Sequence, residues 1–429
     1  MNKIEFNDGL LEYLATSPTP FHAVANLRPL FESQDFEYLD ETQPWNIKPG
    51  GRYVVTRNGS ALIAFILGQR PLHRSGLAMA GAHTDSPCLK IKPSPLLTGP
   101  GGVRLGVEVY GSPLLNTWFD RDLSIAGRVS FVQEDAGSQA IQSTTVDLKR
   151  PLAVIPNLAI HLDREANKNR SVQNQKELPA LISDGAHLSE PLEGLLKKEL
   201  AEKRIALESA AILEYELQLY DTQPPDYTGH TRELFSSARI DNLLSCYTLA
   251  HGLANASAGK SSLIVLNDHE EVGSHTPEGA SGNFLSQILE RILPDPQERA
   301  MALAQSFMLS SDNAHALHPA HVEKYDPGHS PLLNNGPVIK YNANRRYATT
   351  SETAARFRLL CRSAGVPTQS FVMRSDMPCG STIGPLVSSL TGVPTVDIGV
   401  PMLAMHSIRE TAGCEDAFFL YRVMVEYFQ

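Results

Sequence analysis

Ser262-Leu263-Ile264-Val265-Leu266-Asn267-Asp268-His269-Glu270-Glu271-Val272-Gly273-Ser274 decides how this chain is read. The first five residues form a short apolar run of the kind found in a strand buried on both faces. An aspartate and two adjacent glutamates follow where that strand ends. In open α/β sheets, ligands bind in the crevice outside the carboxyl ends of the strands. Adjacent carboxylates there repel one another and resist desolvation. A bound cation removes both objections: one glutamate can ligate it while its neighbour works as general base. An isolated Glu-Glu would read as an exposed acidic turn; the core strand in front of this one favours a metal.

Three further segments repeat the pattern. Leu77-Ala78-Met79-Ala80-Gly81-Ala82 is apolar and ends in His83-Thr84-Asp85-Ser86-Pro87. A ligating histidine usually gives its second ring N–H to a carboxylate, so Asp85 suits the partner of His83. Phe307-Met308-Leu309-Ser310-Ser311 leads into Asp312, and Thr395-Val396-Asp397-Ile398-Gly399-Val400 leads toward His406. Asp241, in Ser237-Ala238-Arg239-Ile240-Asp241-Asn242, stands at the start of an expected helix. Alone it would be read as an N-cap or first-turn aspartate. Together these are two histidines, two aspartates and a glutamate, with one glutamate to spare. Such ligands suit zinc, manganese or cobalt rather than copper or an iron–sulfur cluster. One shared aspartate would let two metals sit roughly 3.5–4 Å apart, a spacing used in hydrolysis.

In order along the chain, Ser17-Pro18-Thr19-Pro20-Phe21-His22, Gly81-Ala82-His83-Thr84-Asp85-Ser86-Pro87, Ser237-Ala238-Arg239-Ile240-Asp241-Asn242, Glu270-Glu271-Val272-Gly273-Ser274, Ser311-Asp312-Asn313-Ala314-His315, Pro378-Cys379-Gly380-Ser381-Thr382-Ile383-Gly384-Pro385 and Ala404-Met405-His406-Ser407-Ile408-Arg409-Glu410 resemble the aspartyl aminopeptidase family, relatives of vacuolar aminopeptidase I, and point to a bacterial member. The resemblance implies two zinc ions, replaceable by manganese or cobalt at one position. By that analogy His83, the bridging Asp241 and Asp312 hold one metal, and Asp241, Glu271 and His406 the other. Glu270 is then the general base and Asp85 the orienting partner of His83. His161 matches a family histidine that reaches a neighbouring subunit's site and steadies the substrate carbonyl. Asn344, Arg345, Arg346, Tyr347 and Met405 are expected in the substrate pocket. The chain departs from the family at Asn344, where members that prefer acidic N-terminal residues carry a lysine. Lys340, Arg345 and Arg346 are the nearby cations that would substitute, so acidic specificity, or a broader or neutral one, stays open.

The rest of the chain bounds the answer. Its 429 residues, 42% hydrophobic and 20% charged, describe a globular protein larger than one core usually supports. A net charge of -10 argues against nucleic-acid partners or an anionic membrane surface. No secretory signal or membrane-length apolar run is legible. Five scattered cysteines without a CxxC pair read as reduced thiols in a cytoplasm. The pattern predicts helices over 5–16, 239–255, 281–292, 350–364 and 411–428, and strands near 52–56, 61–67 and 77–82. Residues 94–232 differ: they are rich in proline, glycine and β-type runs such as 106–110 and 128–132, with a polar stretch over 163–193 that reads as loop or poorly ordered. The expected fold class is α/β: a zinc-peptidase-like catalytic domain (1–93 and 233–429) with a mixed sheet flanked by helices, interrupted by an inserted β-rich domain (94–232). The resemblance makes that insert an oligomerisation domain of a homo-oligomer, a tetrahedral dodecamer built from dimers.

The implied activity is hydrolysis of the N-terminal residue from peptide substrates. Its rivals are a related di-zinc carboxypeptidase or deacetylase and, further off, a non-catalytic assembly protein, although structural zinc sites are mostly cysteine-rich. His315, His318 and His321 read as a loop or subunit contact, Gly99–Gly102 as a turn, and Arg409-Glu410 as a structural ion pair.

Overall fold

The computed structural model describes residues 1–135, 138–168, 170–188, 192–203, 205 and 210–429. The chain divides into two compact units. One comprises Met1–Ser86, Pro225–Met405 and Glu410–Gln429; the other comprises Pro87–Pro224 with His406–Arg409. The sequence reading put the seams at 93/94 and 232/233. The first of those points falls inside the strand Cys88–Gly99, which pairs with Gly102–Tyr110 on both sides of an irregularity between Ile91 and Leu96, and the second unit starts earlier, at Pro87. Asp226–Thr228 likewise pairs with Leu234–Ser237 and stays with the first unit.

Among the described residues, the first unit is built on a nine-stranded mixed sheet. Its order is Glu37–Tyr38, Arg52–Arg57, Ala61–Ile66, Ser262–Asn267, Ala78–His83, Phe307–Ser311, Thr395–Gly399, Val338–Tyr341 and Gln369–Val372. The four central strands, from Ser262–Asn267 to Thr395–Gly399, run parallel. They are buried on both faces, and their residues alternate between two cores with the period of two that a pleated strand imposes. Ala78, Ala80, Ala82, Ile264 and Leu266 face one core with Leu62, Ala64 and Ile66. Met79, Leu263 and Val265 face the other with Ala61, Ile63 and Phe65. Each large aliphatic side chain so buried contributes about 1.5–3 kcal/mol.

Helices cover both faces. Lys3–Thr16, Pro20–Glu32, Ile240–Ala254, Ser351–Ser363 and Cys414–Phe428 close the first core. Phe284–Ile292 and Ile383–Thr391 close the second. Pro20–Glu32 is capped by Thr19, whose Oγ1 accepts the His22 N–H at 3.4 Å, with proline at the first helical position. Two expected helices start late. The first begins at Phe284. The last begins at Cys414 because Glu410–Gly413 pairs as a strand with Leu234–Ser237. That strand belongs to a smaller sheet ordered Asp226–Thr228, Leu234–Ser237, Glu410–Gly413, Pro401–Leu403 and Ala314–His315.

The second unit is a sheet of six described strands, all antiparallel, ordered Ser138–Asp147, Leu123–Asp135, Ala210–Asp221, Cys88–Gly99, Gly102–Tyr110 and Ala180–Ser183. The turn between Gly99 and Gly102 needs glycine at Gly101 and Gly102, whose φ values are 89° and 126°. The helix Leu192–Glu202 places Leu192, Leu196 and Leu200 on one buried stripe. The polar stretch 163–193 contains a helical turn, Asn174–Glu177, and the strand Ala180–Ser183. Residues 169 and 189–191 of that stretch lie outside the described residues.

Candidate metal centre

Parallel register sets the site. Asn267 pairs with His83, so the two strands end side by side, and Ser311 ends its own strand next but one to Asn267. The residues that follow, His83–Asp85, Asp268–Glu271 and Asp312, are therefore delivered to one crevice.

His83 is 1% exposed. Its Nδ1 lies 3.0 Å from the Asp85 carbonyl oxygen and 3.4 Å from Asp85 Oδ1. A carbonyl can only accept, so Nδ1 carries the proton and Nε2 is left to ligate. Nε2 lies 3.6 Å from Asp241 Oδ1 and 3.7 Å from Asp312 Oδ1. Those separations are too long for hydrogen bonds. They suit atoms that share an ion: ligands each about 2.1 Å from a tetrahedral zinc stand about 3.4 Å apart. His83, Asp241 and Asp312, all buried, have ligand atoms within 4.8 Å of one another, and so do His83, Glu270 and Glu271. Asp241 and Glu271 also come within that distance of each other. The donor set fits zinc.

Asp241 is not a helix cap. Asp241 and Asn242 leave helical geometry, at φ/ψ of -81°/107° and -125°/26°, and the peptide between them is cis. Three neighbouring side chains hold this irregular backbone. Glu410 Oε2 accepts the Asp241 N–H at 3.0 Å, Ser86 Oγ donates to the Asp241 carbonyl at 2.6 Å, and Asn313 Nδ2 donates to the Ile240 carbonyl at 2.9 Å. Asn242 Nδ2 in turn donates to the Ser311 carbonyl at 2.8 Å, tying the segment to the strand that delivers Asp312. Glu410, read from sequence as half of an ion pair with Arg409, thus buttresses Asp241. That role spans 169 residues of separation, and no local pattern carries it.

Asp85 does more than the sequence assigned to it. Its two carboxylate oxygens accept the N–H groups of Glu270 and Glu271, each at 3.1 Å. It thereby fixes the 3-10 turn Glu270–Val272, which is bracketed by positive φ at His269 (64°) and Gly273 (98°). The paired glutamates are aimed by the same residue that orients the His83 loop.

Charge crowds this centre. Burial alone would lower the His83 pKa, yet Asp241, Asp312 and Asp85 hold it well above the usual imidazole range. Burial raises the Glu270 carboxyl above the ordinary carboxylate range, and Asp312, Glu271 and Asp85 add to the rise while His83 opposes it. Burial dominates the Glu270 shift, but in both groups the neighbouring carboxylates push the pKa upward, a crowding of negative charge that a cation relieves.

Lys340, grouped from sequence with Arg345 and Arg346, proves different in kind. It is 3% exposed, and its Nζ lies 3.3 Å from Asp312 Oδ2. The clue was legible: a lysine inside the apolar run Val338-Ile339-Lys340-Tyr341. Asn344, Arg345 and Arg346 lie in an exposed turn where Asn342 Oδ1 accepts the N–H groups of Asn344 and Arg346. Tyr347 is buried, and Met405 packs partly buried against the first core. His161 and His406 belong to the second unit. His161 is in an exposed turn rather than a strand. His406 keeps its Nδ1 3.0 Å from the Ser112 carbonyl oxygen, so Nδ1 carries the proton. His318 and His321 stack at 4.8 Å, and His321 lies 3.6 Å from Glu323, outside every ligand cluster among the described residues.

Comparison with known proteins identifies the family. The family model for aminopeptidase I zinc metalloprotease (M18) matches residues 13–428. A probable M18 family aminopeptidase 2 from Stutzerimonas stutzeri (strain A1501) is 49% identical over 425 residues, 99% of this chain and 98% of its own. Ape4, solved by cryo-EM in complex with Nbr1, superposes with a TM-score of 0.94 at 37% identity, covering 99% of this chain and 86% of that one. The mApe1 dodecamer from S. cerevisiae gives a TM-score of 0.84 at 28% identity, covering 98% and 95%. With a family match spanning nearly its whole length and a histidine–carboxylate centre at the ends of its parallel strands, the chain belongs to the M18 family of zinc metalloproteases and is a metal-dependent aminopeptidase.

Proposed function

We propose that the protein is a di-zinc aminopeptidase that removes the N-terminal residue from short peptides. The observation that carries this is the convergence of His83, Asp241 and Asp312 in one buried cluster, with Glu270 and Glu271 beside it. By family resemblance His83, Asp241 and Asp312 would hold one zinc, and Asp241, Glu271 and His406 the other. Bound zinc supplies polarisation of the scissile carbonyl and a more acidic water. Glu270 takes the proton of the attacking water and delivers it to the nitrogen of the leaving amine as the C–N bond breaks. Asp85 contributes by holding the Glu270 and Glu271 backbone and the His83 loop in register. His161, supplied by a neighbouring copy of the chain, steadies the substrate carbonyl.

The pocket for the N-terminal side chain is assigned to Asn344–Tyr347 and Met405. With asparagine where acid-selective relatives carry lysine, the preference for Asp and Glu is weakened and neutral residues are accepted, because a carboxylate then loses its charge-assisted partner. The second unit builds the contacts of a homo-oligomer, a tetrahedral dodecamer by analogy with the yeast relative. Five free cysteines suit a cytoplasmic protein. No described helix is long and apolar enough to cross a membrane.

The test is hydrolysis of Asp, Glu, Leu, Ala, Lys and acetyl-Leu amides by metal-depleted protein with zinc, manganese or cobalt restored. Metal-dependent cleavage of every free N-terminus, Leu and Ala included, and rejection of the acetylated amide are expected. Cleavage of acetyl-Leu amide would overturn the aminopeptidase reading, and strict Asp/Glu cleavage would overturn the weakened selectivity.

A further inference from the structure

Lys340 lies in the strand Val338–Tyr341, between the fully buried Val338 and Ile339 and the first residues of the substrate loop. Burying an ammonium group is unfavourable unless opposite charge compensates it. Its compensation is specific: Nζ lies 3.3 Å from Asp312 Oδ2, and the Tyr347 ring centroid is 5.6 Å away. Asp397, fully buried on the adjacent strand, is a second carboxyl group near Lys340, which works against the rise that burial imposes on the Asp397 pKa. Asp397 is itself held by Thr382 Oγ1 and the Ala348 N–H, each donating at 2.6 Å.

The Asp312 carboxylate is thus divided. Oδ1 stands 3.7 Å from His83 Nε2, on the ligand side, and Oδ2 faces Lys340. The backbone beneath it is equally constrained. The Asp312 N–H donates to the Ile398 carbonyl at 2.9 Å, and a Cβ on Gly399 would meet the Asp312 carbonyl oxygen at 1.9 Å. A carboxylate free to rotate would offer either oxygen, or both, to a metal. One pinned by an ammonium offers a single oxygen in a set direction, and the ammonium offsets part of the repulsion among Asp85, Asp241, Asp312, Glu270 and Glu271.

We propose that Lys340 is a positioning residue for the metal centre: it holds Asp312 Oδ2 so that Oδ1 meets the same ion as His83 and Asp241. This rests on the reading of Asp312 as a zinc ligand. It also removes Lys340 from the cations available to an acidic N-terminal side chain, because its charge is already committed.

The experiment measures zinc affinity of the full-length protein by competition with a chelator, for wild type, Lys340→Met, Lys340→Gln, Lys340→Arg and Asp312→Ala. Folding is monitored by circular dichroism and by the melting temperature of the metal-free form. Lys340→Met is expected to weaken zinc binding on the order of 10–100-fold. Lys340→Arg, which keeps the charge, should recover part of that loss, and the ratio of kcat/KM for Asp over Leu amides should stay within about twofold of wild type in the zinc-saturated variants. Lys340→Gln, retaining a neutral donor, is expected to fold even if Lys340→Met does not, and to lose zinc affinity in the same direction. Wild-type zinc affinity in folded Lys340→Met or Lys340→Gln, even with a lowered melting temperature, would overturn the proposal. A collapse of the Asp-over-Leu ratio with unchanged zinc affinity would overturn it in favour of a substrate-binding role. Undiminished zinc content in Asp312→Ala would instead bring down the ligand assignment itself.

Discussion

The two sheets treat buried charge in opposite ways. Among the described residues of the antiparallel second unit, Asp221 is the one buried charged side chain, and Arg121 neutralises it directly with both Nε and an Nη. In the first unit, His83, Asp85, Asp241 and Asp312 are buried together at the ends of parallel strands, with Lys340 the cation that pairs with Asp312. A sheet that only has to be stable balances its buried ions locally. A sheet that binds a cation keeps a deficit of positive charge and stabilises it with rigid backbone: the Asp85 oxygens on the Glu270–Val272 turn and the Glu410 carboxylate on Asp241. Buried imbalance, more than acidity in general, is the mark of the site.

The comparison breaks most visibly at Glu270. Glu270→Gln keeps size and polarity and removes the proton acceptor. Turnover should fall on the order of 10²–10⁴-fold with zinc content unchanged, since general-base catalysis contributes about that much. Steady-state kinetics alongside metal analysis checks it, and turnover within a few-fold of wild type would sink the assignment.

His251 sharpens the contrast within the first unit, as a half-buried base whose pKa no carboxylate raises. Its ring packs tilted against Tyr247 at a centroid distance of 4.1 Å, and burial lowers its pKa to about 4. The folded pKa is depressed, so the stability this residue contributes is complete above about pH 6.5, its unfolded value, and is lost as pH falls toward 4. The full loss is about 3 kcal/mol. His251→Phe, which preserves ring packing, should therefore lose less stability than wild type between pH 7 and pH 4.5 in urea titrations. Parallel losses in the two proteins would show that His251 is not part of the acid sensitivity.

In the second unit, Arg121→Met strands Asp221 without its partner. A loss of about 1–3 kcal/mol is expected, the cost of leaving a buried acceptor uncompensated and partly discounted because the arginine reaches solvent. Zinc content should be unaffected. A change in metal binding would mean that the two sheets are not independent in the way their charge suggests.

Much of this was legible one strand at a time. Apolar runs such as Leu77–Ala82 and Ser262–Leu266 announce doubly buried strands, and the charged residues that follow announce a crevice, because both signals are local. The helix ends were less legible. Residues 411–413 read as the start of the last helix, yet Glu410–Gly413 becomes a strand because Leu234–Ser237 is there to pair with it. The polar stretch over 163–193 hides the strand Ala180–Ser183 for the same reason: its partner Gly102–Tyr110 lies far back in the chain.

By itself the sequence singled out the candidates: His83, Asp85, Asp241, Glu270, Glu271 and Asp312 stand out as charged or ligating residues next to apolar runs and at the start of a helix. Only the tertiary structure decided how they are held. Asp85 spans 185 residues to meet the Glu270 N–H, Glu410 spans 169 to hold Asp241, and Lys340 pairs with one oxygen of Asp312. The physical reason is that ligation depends on which oxygen of a carboxylate points where. That direction is set by hydrogen bonds between strand ends brought together by the sheet, and no spacing along the chain encodes it.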